Sequence, residues 1–390
     1  MRLGDIVSIT SGESPSLYHL KAEGKYPYVK VEDLNNCEKY QESSREYSDD
    51  NNTTIKAGSI IFPKRGASIL NNKVRIAAKD IQMDSNMMAI TPHTAIIDTE
   101  FLYIRILHER LYRIADTSSI PQINNKHIIP YKIAVPPLAE QRKIAEVLGV
   151  WDEAIEKQAR LIEKLALRKR ALMQRLLSAK LRLPGFSEPW KKVKLGDIGD
   201  TYNGLSGKNK DDFEYGNAQF IPYINVFSNE RIDTNNLGCV QIKPNEQQNT
   251  VKYGDIFFTV SSETPDEVGM ASVLLEHLDN TYLNSFCFGY RLNNFSTLNP
   301  FFAAYLFRTE HFRNYMSVLA QGSTRFNISK KEVMKLKIDL PTIEEQTAIA
   351  EVLTAADREI ELAKEKLERL RRQKRGLMQQ LLTGKKRIKI

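Results

Sequence analysis

Cysteine is scarce in this 390-residue chain: Cys37, Cys239 and Cys287 stand far apart, with no C-x-x-C spacing. That excludes a disulfide framework and a cysteine-based zinc site, and it suits a reducing cytoplasm. Histidine is also rare, six in all and scattered, so no Ser-His-Asp, Cys-His or metal-ligand grouping follows from spacing. His108 and His311 read as decoration on helix faces. No apolar run approaches the ~18 residues of a membrane span, and "MRLGDIVSIT" lacks the apolar stretch of a signal peptide. No membrane partner is expected. Phosphate-cradling loops are missing too, whether G-x-x-x-x-G-K-[ST] or G-x-G-x-x-G after a strand. The one Pro-Pro, Pro136–Pro137 in "AVPPLAE", lacks the Asn or Asp that would hold an amino group for methyl transfer. "ETPDEVG" supplies Pro265 and Asp266 but no Glu-x-Lys to complete a metal-dependent nuclease site. These absences predict a chain with no catalytic residues, no metal and no cofactor of its own, and point to binding or assembly.

What is present is ordinary in bulk and unusual in order. Hydrophobic residues at 42% and charged residues at 27% describe a soluble globular chain long enough for two or three domains. The net charge of +8 is unevenly placed. Residues 1–138 carry 17 basic and 16 acidic side chains, and residues 183–343 carry 16 and 18. The excess sits in residues 139–182, with 11 and 6, and in residues 344–390, with 12 and 8. A blanket electrostatic argument for nucleic acid is therefore weak.

The chain says nearly everything twice. "LGDI" at Leu3–Ile6 returns at Leu195–Ile198, "PYVKV" (Pro27–Val31) matches "PYINV" (Pro222–Val226), and "IKAGSIIF" (Ile55–Phe62) matches "VKYGDIFF" (Val251–Phe258). "PPLAEQRKIAEVL" then returns as "PTIEEQTAIAEVL". Each copy has a mixed region followed by a long charged helical segment. "YPYVKV", "SIIFP", "YKIAVP", "FIPYINV", "GDIFFTV" and "KLKIDLP" read as strands. "TEFLYIRILHERLYRIAD" and "NPFFAAYLFRTEHFRNYMSVLA" read as amphipathic helices. The expected segments are a first domain (1–138), a long helix (139–180), a linker (181–190), a second domain (191–342), a second long helix (343–384) and a basic tail (385–390).

In the first long segment Ile144, Leu148, Trp151, Ile155, Gln158, Ile162, Leu165, Lys169, Leu172 and Leu176 alternate in steps of four and three. In the second, Ile349, Leu353, Ala356, Ile360, Ala363, Leu367, Leu370, Lys374, Leu377 and Leu381 do the same. A sustained 3.5-residue repeat marks a coiled coil, and polar intruders such as Gln158, Lys169 and Lys374 exchange stability for register. Ile144 to Leu176 spans roughly 50 Å of helix. The short link with Pro184, Gly185 and Pro189 then lets the second helix pair only by running back. The expected fold class is α+β: two similar domains and an antiparallel coiled coil, with internal pseudo-twofold symmetry. Copy two has "GFSEPWKKVK" before its LGDI and copy one only "MR", which predicts a less anchored first domain.

A rod holding two similar domains suits duplex DNA, whose paired half-sites lie one or more ~34 Å turns apart. Base reading uses bidentate Arg, Lys, Asn and Gln, with Ser and Thr beside them. "FPKRGASILNNK" offers Lys64, Arg65, Asn71, Asn72 and Lys73, and "SSIPQINNK" offers Gln122, Asn124, Asn125 and Lys126. Copy two offers Ser206, Lys208, Asn209 and Lys210 in "GLSGKNK", and Gln321, Ser323, Thr324, Arg325 and Asn327 in "QGSTRFNISK". Solvated turns use the same residue types.

The two helix openings "PPLAEQRKIAEVL" and "PTIEEQTAIAEVL", closing with "RALMQRLL" and "RGLMQQLL" around two variable domains, resemble the specificity subunit of type I restriction–modification enzymes. The likeness covers essentially the whole chain. It implies two target recognition domains, each reading half of a split, asymmetric double-stranded DNA sequence, with the coil setting the spacer. It implies two methyltransferase subunits docked on this chain and restriction (motor–nuclease) subunits joined through the complex. S-adenosylmethionine, ATP and Mg are then expected on those partners, and this chain is expected to be non-catalytic. The competing reading is a non-catalytic coiled-coil scaffold that binds only proteins.

Overall fold

The computed structural model describes residues 1–116 and 120–389. Packing divides the chain into two compact units: Met1–Arg160 with Glu365–Ile390 (unit 1), and Leu161–Lys364 (unit 2). Each long helix is shared between them, so this division cuts across the sequence-based segments. The fold is α+β in both units.

Unit 1 is built on a sheet ordered Val7–Ser11, Met87–Pro92, Ile60–Pro63, Arg75–Ala77 and Tyr40–Gln41. Unit 2 has Gly199–Asn203, Cys287–Leu292, Ile256–Thr259 and Ala271–Val273 in the same order. The register repeats as well. Ile9 pairs with Ile90 and Ile60 with Ile90, while Thr201 pairs with Tyr290 and Ile256 with Tyr290. Ile60 and Ile90 in one unit, Ile256 and Phe258 in the other, are fully buried against a helix, Thr99–Glu109 or Pro300–Leu306. Burying each such side chain contributes about 1.5–3 kcal/mol.

Four local expectations change. "TEFLYIRILHERLYRIAD" breaks at the left-handed Arg110 (φ 57°) into a helix, Thr99–Glu109, and a 3-10 turn, Leu111–Ile114. "PYINV" is helical (Tyr223–Ser228), whereas its match ends the strand Tyr26–Val29. The buried Asn225 amide decides this: it donates to the carbonyls of Asp233 and Asn236, each at 2.8 Å, and accepts from the Asp233 N–H at 2.9 Å. "YKIAVP" forms only a bridge from Lys132 to Arg2, whereas "KLKIDLP" forms a full strand, Lys337–Leu340, because Lys191–Lys194 pairs along it. "NPFFAAYLFRTEHFRNYMSVLA" is two helices, Pro300–Leu306 and Glu310–Leu319. The Thr309 hydroxyl accepts from the Phe312 N–H and starts the second.

The long helices run Leu138–Leu176 and Ile343–Leu382. Both interiors lack proline, and Glu153–Lys157 and Glu156–Arg160 are i,i+4 ion pairs in the favourable orientation. Within each unit they pair antiparallel, and the twenty expected seam positions are all buried or half-buried. The two seam lysines make equivalent contacts. Lys374 pairs with Asp152 in unit 1, and Lys169 pairs with Asp357 at 2.6 Å in unit 2. Burial lowers the Lys169 pKa, but Asp357 and Glu230 outweigh it and leave it raised. The outer seam residues do more than face the other helix. Ile144, Leu148 and Leu381 enter the unit 1 core, and Leu176, Ile349 and Leu353 enter that of unit 2.

Both ends of the helix pair are fastened in the same way twice. Gln141 accepts from the Asp98 N–H and donates to the carbonyls of Ile96 and Pro136. Gln346 accepts from the Asn299 N–H and donates to those of Thr297 and Pro341. Beside them, Glu140 takes a bidentate pair from Arg387, and Glu345 takes one from Arg182. Each helix closes with a left-handed residue, Ala179 (φ 57°) or Gly384 (φ 74°). A six-residue back-bond follows, from the Leu181 N–H to the Arg175 carbonyl and from Lys386 to Gln380. The segments expected as linker and basic tail thus begin alike, with Leu181–Arg182 and Lys386–Arg387 folded back on their helix ends.

Candidate nucleic-acid interface

In unit 1 three segments meet at one end of the sheet. The strand Ile60–Pro63 runs into Lys64, whose N–H donates to the Asn86 carbonyl at 2.8 Å and whose carbonyl accepts from Ile123 at 2.8 Å. The Gly66 N–H then donates to Pro121, and Arg65 bridges Gln122. Gln122 and Asp116 exchange backbone hydrogen bonds, both 2.9 Å. A turn closes the junction: Asp84 accepts from the Asn86 N–H and its side-chain amide, at 2.7 and 2.8 Å. Beside it opens a cavity of about 280 Å³ lined by Lys30, Glu32, Arg65, Ser68, Asp84 and Asn86. Arg65 is exposed, while Lys64 is half-buried. Burial first, and the Arg65 charge second, hold the Lys64 pKa below its ordinary value.

Unit 2 builds the same junction from different side chains. Val260 donates to the Phe286 carbonyl at 2.9 Å and accepts from Ile328 at 3.0 Å. Ser261 and Ser262 pair with Asn327 and Phe326, and Gln321 and Asn327 exchange backbone hydrogen bonds. Asn284 closes the turn by accepting from the Phe286 N–H at 2.8 Å. Gly322, at φ +134°, makes the tight loop possible, since a Cβ there would lie 2.1 Å from the Arg325 carbonyl. The loop presents Ser323, Thr324 and Arg325, all exposed, beside Phe286, which is 57% exposed. The Tyr223 hydroxyl donates to the Ser261 carbonyl at 3.0 Å. Exposed Arg, hydroxyl and aromatic groups on a rigid frame can hydrogen-bond base edges and lie against base faces.

A family model described as the type I restriction modification DNA specificity domain matches residues 1–166 and again residues 187–372. The chain belongs to this family. The type I restriction enzyme MjaVIII specificity subunit of Methanocaldococcus jannaschii is 26% identical over 417 residues, covering 100% of this chain and 93% of its own. A chain solved in work on complex assembly and conformational transition of the type I R-M system superposes with a TM-score of 0.67 at 19% identity. The match covers 98% of this chain and 97% of that one. The type I S subunit from M. genitalium does so at 0.54 and 17%, covering 98% and 95%. These two structures share the fold.

The specificity subunit therefore has two recognition domains, each with one such junction. Not all of the residues expected to read DNA face outward. Lys208 is turned inward, its side chain 3% exposed, donating to the Gln241 carbonyl at 2.6 Å and pairing with Glu246. Asn209 accepts from the Asp211 N–H, and the Ser206 N–H is bound by Gln248, leaving Lys210 exposed. Asn72 adopts φ 49° and donates to the Leu107 carbonyl, and Lys73 bonds Asn35. Asn71, Asn125 and Lys126 are exposed, and the Asn124 N–H donates to the His127 ring. Ser118 and Ser119 lie outside the described residues. Sequence reasoning missed Asn86, Tyr223, Ser261 and Phe286. For Asn86 and Phe286 the signal was the pair "DSN" and "NSF" at matching places in the two copies. The loops "SGESPSLYHLK" and "YNGLSGKNK" likewise begin alike, for a Cβ on Gly12 or Gly204 would lie 2.0 or 2.2 Å from the carbonyl of Asp84 or Asn284.

Proposed function

We propose that this specificity subunit reads a split, asymmetric duplex target, one half-site per unit, through the two junctions. The observation that supports this is one backbone frame carrying two side-chain sets. Arg65, Asn86 and Gln122 in unit 1 stand where Ser261, Phe286 and Asn327 stand in unit 2. A frame that holds its geometry while its chemistry changes is what reading two different half-sites requires. The paired helices fix the unread spacer and dock two methyltransferase subunits, through which restriction subunits join. On this reading S-adenosylmethionine, ATP and Mg²⁺ belong to those partners and this chain is non-catalytic. The domains have no overall basic excess, so the isolated chain binds duplex weakly and the methyltransferase strengthens it.

The test is to map methylated sites in a reconstituted complex. Arg325→Ala is expected to weaken the second half-site by about 1–3 kcal/mol and leave the first intact, with Arg65→Ala doing the reverse. Losses that fall equally on all sequences would mean that both arginines touch only phosphate. A chain that binds its partners but shows no half-site preference would favour the protein scaffold.

A further inference from the structure

Unit 2 contains a large open groove away from its junction loops, between the last turns of the first long helix and the helix Glu310–Leu319. Its volume is about 930 Å³, the size of a ligand pocket at the upper end of the usual range. The floor is apolar, from Met173, Leu177, Phe312 and Ile338. The rim is cationic: Arg170, Arg175 and Lys180 are exposed and, among the described residues, form no ion pair. Beneath them lies the Arg308 guanidinium, which donates to the carbonyls of Ala271, Phe227, Val226 and Asn229 and, among the described residues, to no carboxylate. Four cations thus face two carboxylates, Glu310 and Asp339. The wall also holds an unmet donor. Trp190 lines the groove, and its indole N–H is buried with no acceptor.

The corresponding place in unit 1 is filled. The two domain helices open on matching caps, Asp98 and Asn299, so Arg105 stands where unit 2 has Leu306. Arg105 donates to the carbonyl of Leu382 at the end of the second long helix, pairs with Glu109, and is 7% exposed. Leu306 can do neither, and the space beside Leu177 stays open.

We propose that this groove docks an acidic amphipathic segment of a partner polypeptide, and does so in unit 2 alone. An apolar face takes the floor and packs against Trp190, and carboxylates meet Arg170, Arg175 and Lys180. Duplex DNA would meet the cationic rim but has nothing to place on the apolar floor. This proposal does not depend on the DNA reading above, which uses other residues.

The test selects displayed random peptides of about 16 residues, long enough for several helical turns, on the full-length chain. The Trp151→Phe background leaves Trp190 as its one indole. The expected consensus combines acidic residues with Leu or Phe at helical spacing. The synthesised peptide should shift Trp190 emission to the blue and bind at least about tenfold more weakly to the Arg170→Glu/Arg175→Glu variant. Both changes are at exposed positions, and far-ultraviolet circular dichroism checks the fold. A basic consensus, no enrichment over that variant, or unchanged Trp190 emission would overturn the proposal. So would random-sequence duplex that displaces the peptide and loses affinity by the same factor in the variant, which would make the surface a nucleic-acid site. None of these results touches the half-site test.

Discussion

Just before the central strand of each sheet, the two units place different chemistry on the same backbone. Unit 1 has Ser59 and Thr91, whose hydroxyls lie 2.8 Å apart. Unit 2 has Asp255 and Arg291, joined by two hydrogen bonds of 2.6 and 2.8 Å, with the Tyr202 phenol donating to the same carboxylate at 2.6 Å. The strands on either side keep one register. Divergence between the copies has therefore reached the interior, and a shared frame does not imply a shared source of stability. Unit 1 keeps a neutral contact that tolerates loss, whereas unit 2 relies on an ion pair that punishes it.

Breaking that contact should separate the units most. The Asp255 side chain is 1% exposed, and Asp255→Ala would leave the buried Tyr202 phenol without its acceptor and Arg291 with only the Thr250 carbonyl and solvent, costing about 3 kcal/mol. Ser59→Ala removes one neutral bond and should cost about 1 kcal/mol. Hydrogen exchange resolved by segment should show the first loss in Gly199–Asn203 and Cys287–Leu292 and spare the unit 1 sheet. Equal losses in both units would mean that the sheets do not melt independently.

The helix clamps sharpen the comparison at smaller magnitude. Arg182 is 24% exposed beside Glu345, and Arg387 is 64% exposed beside Glu140. Glu345→Gln is expected to cost about 2 kcal/mol and Glu140→Gln about 1 kcal/mol or less, read by urea unfolding. The helix ends should respond in opposite directions. Ala179→Gly relieves a left-handed alanine and should stabilise by about 1 kcal/mol, while Gly384→Ala should cost the same. Thermal unfolding of the two variants checks the sign.

The smallest effect concerns acid. The hydrogen bond from Lys208, foremost, holds the Glu246 pKa down to about 2. A carboxyl lowered in the folded state stabilises fully above its unfolded pKa, ~4.3, and loses that contribution as pH falls toward 2. The segment Leu205–Lys210 should therefore loosen between those values, as followed by exchange corrected for intrinsic rate. In unit 1 the Glu13 carboxyl is lowered chiefly by the Tyr18 phenol, so its loop should loosen in acid without any lysine.

Features carried by periodicity were legible in the sequence. Ile144 through Leu176 announces a helix with one wet face, and the matched Lys169 and Lys374 announce polar seam contacts, although not that Asp357 and Asp152 would meet them. Features that depend on distant partners were not legible. Gln141 and Gln346 sit in the most recognisable words of the chain, yet their work is done on Asp98 and Asn299, more than forty residues earlier. "PYVKV" and "PYINV" look alike and fold differently, because only one carries an asparagine that neighbouring carbonyls can capture. Lys208 reads as a free cation until Glu246 is placed beside it.

The division of each long helix between the two units also sets an order in time. Unit 2 ends at Lys364, whereas unit 1 begins at Met1 and cannot close until the segment from Glu365 onward exists. During synthesis from the N-terminus, the domain encoded first is therefore the one completed last. Its first 160 residues must wait, with Ile144 and Leu148 lacking the Leu381 and Leu382 that cover them in the finished core. A nonsense codon near Glu365 would spare every residue of the second domain and strike the first, although the lesion lies at the far end of the gene.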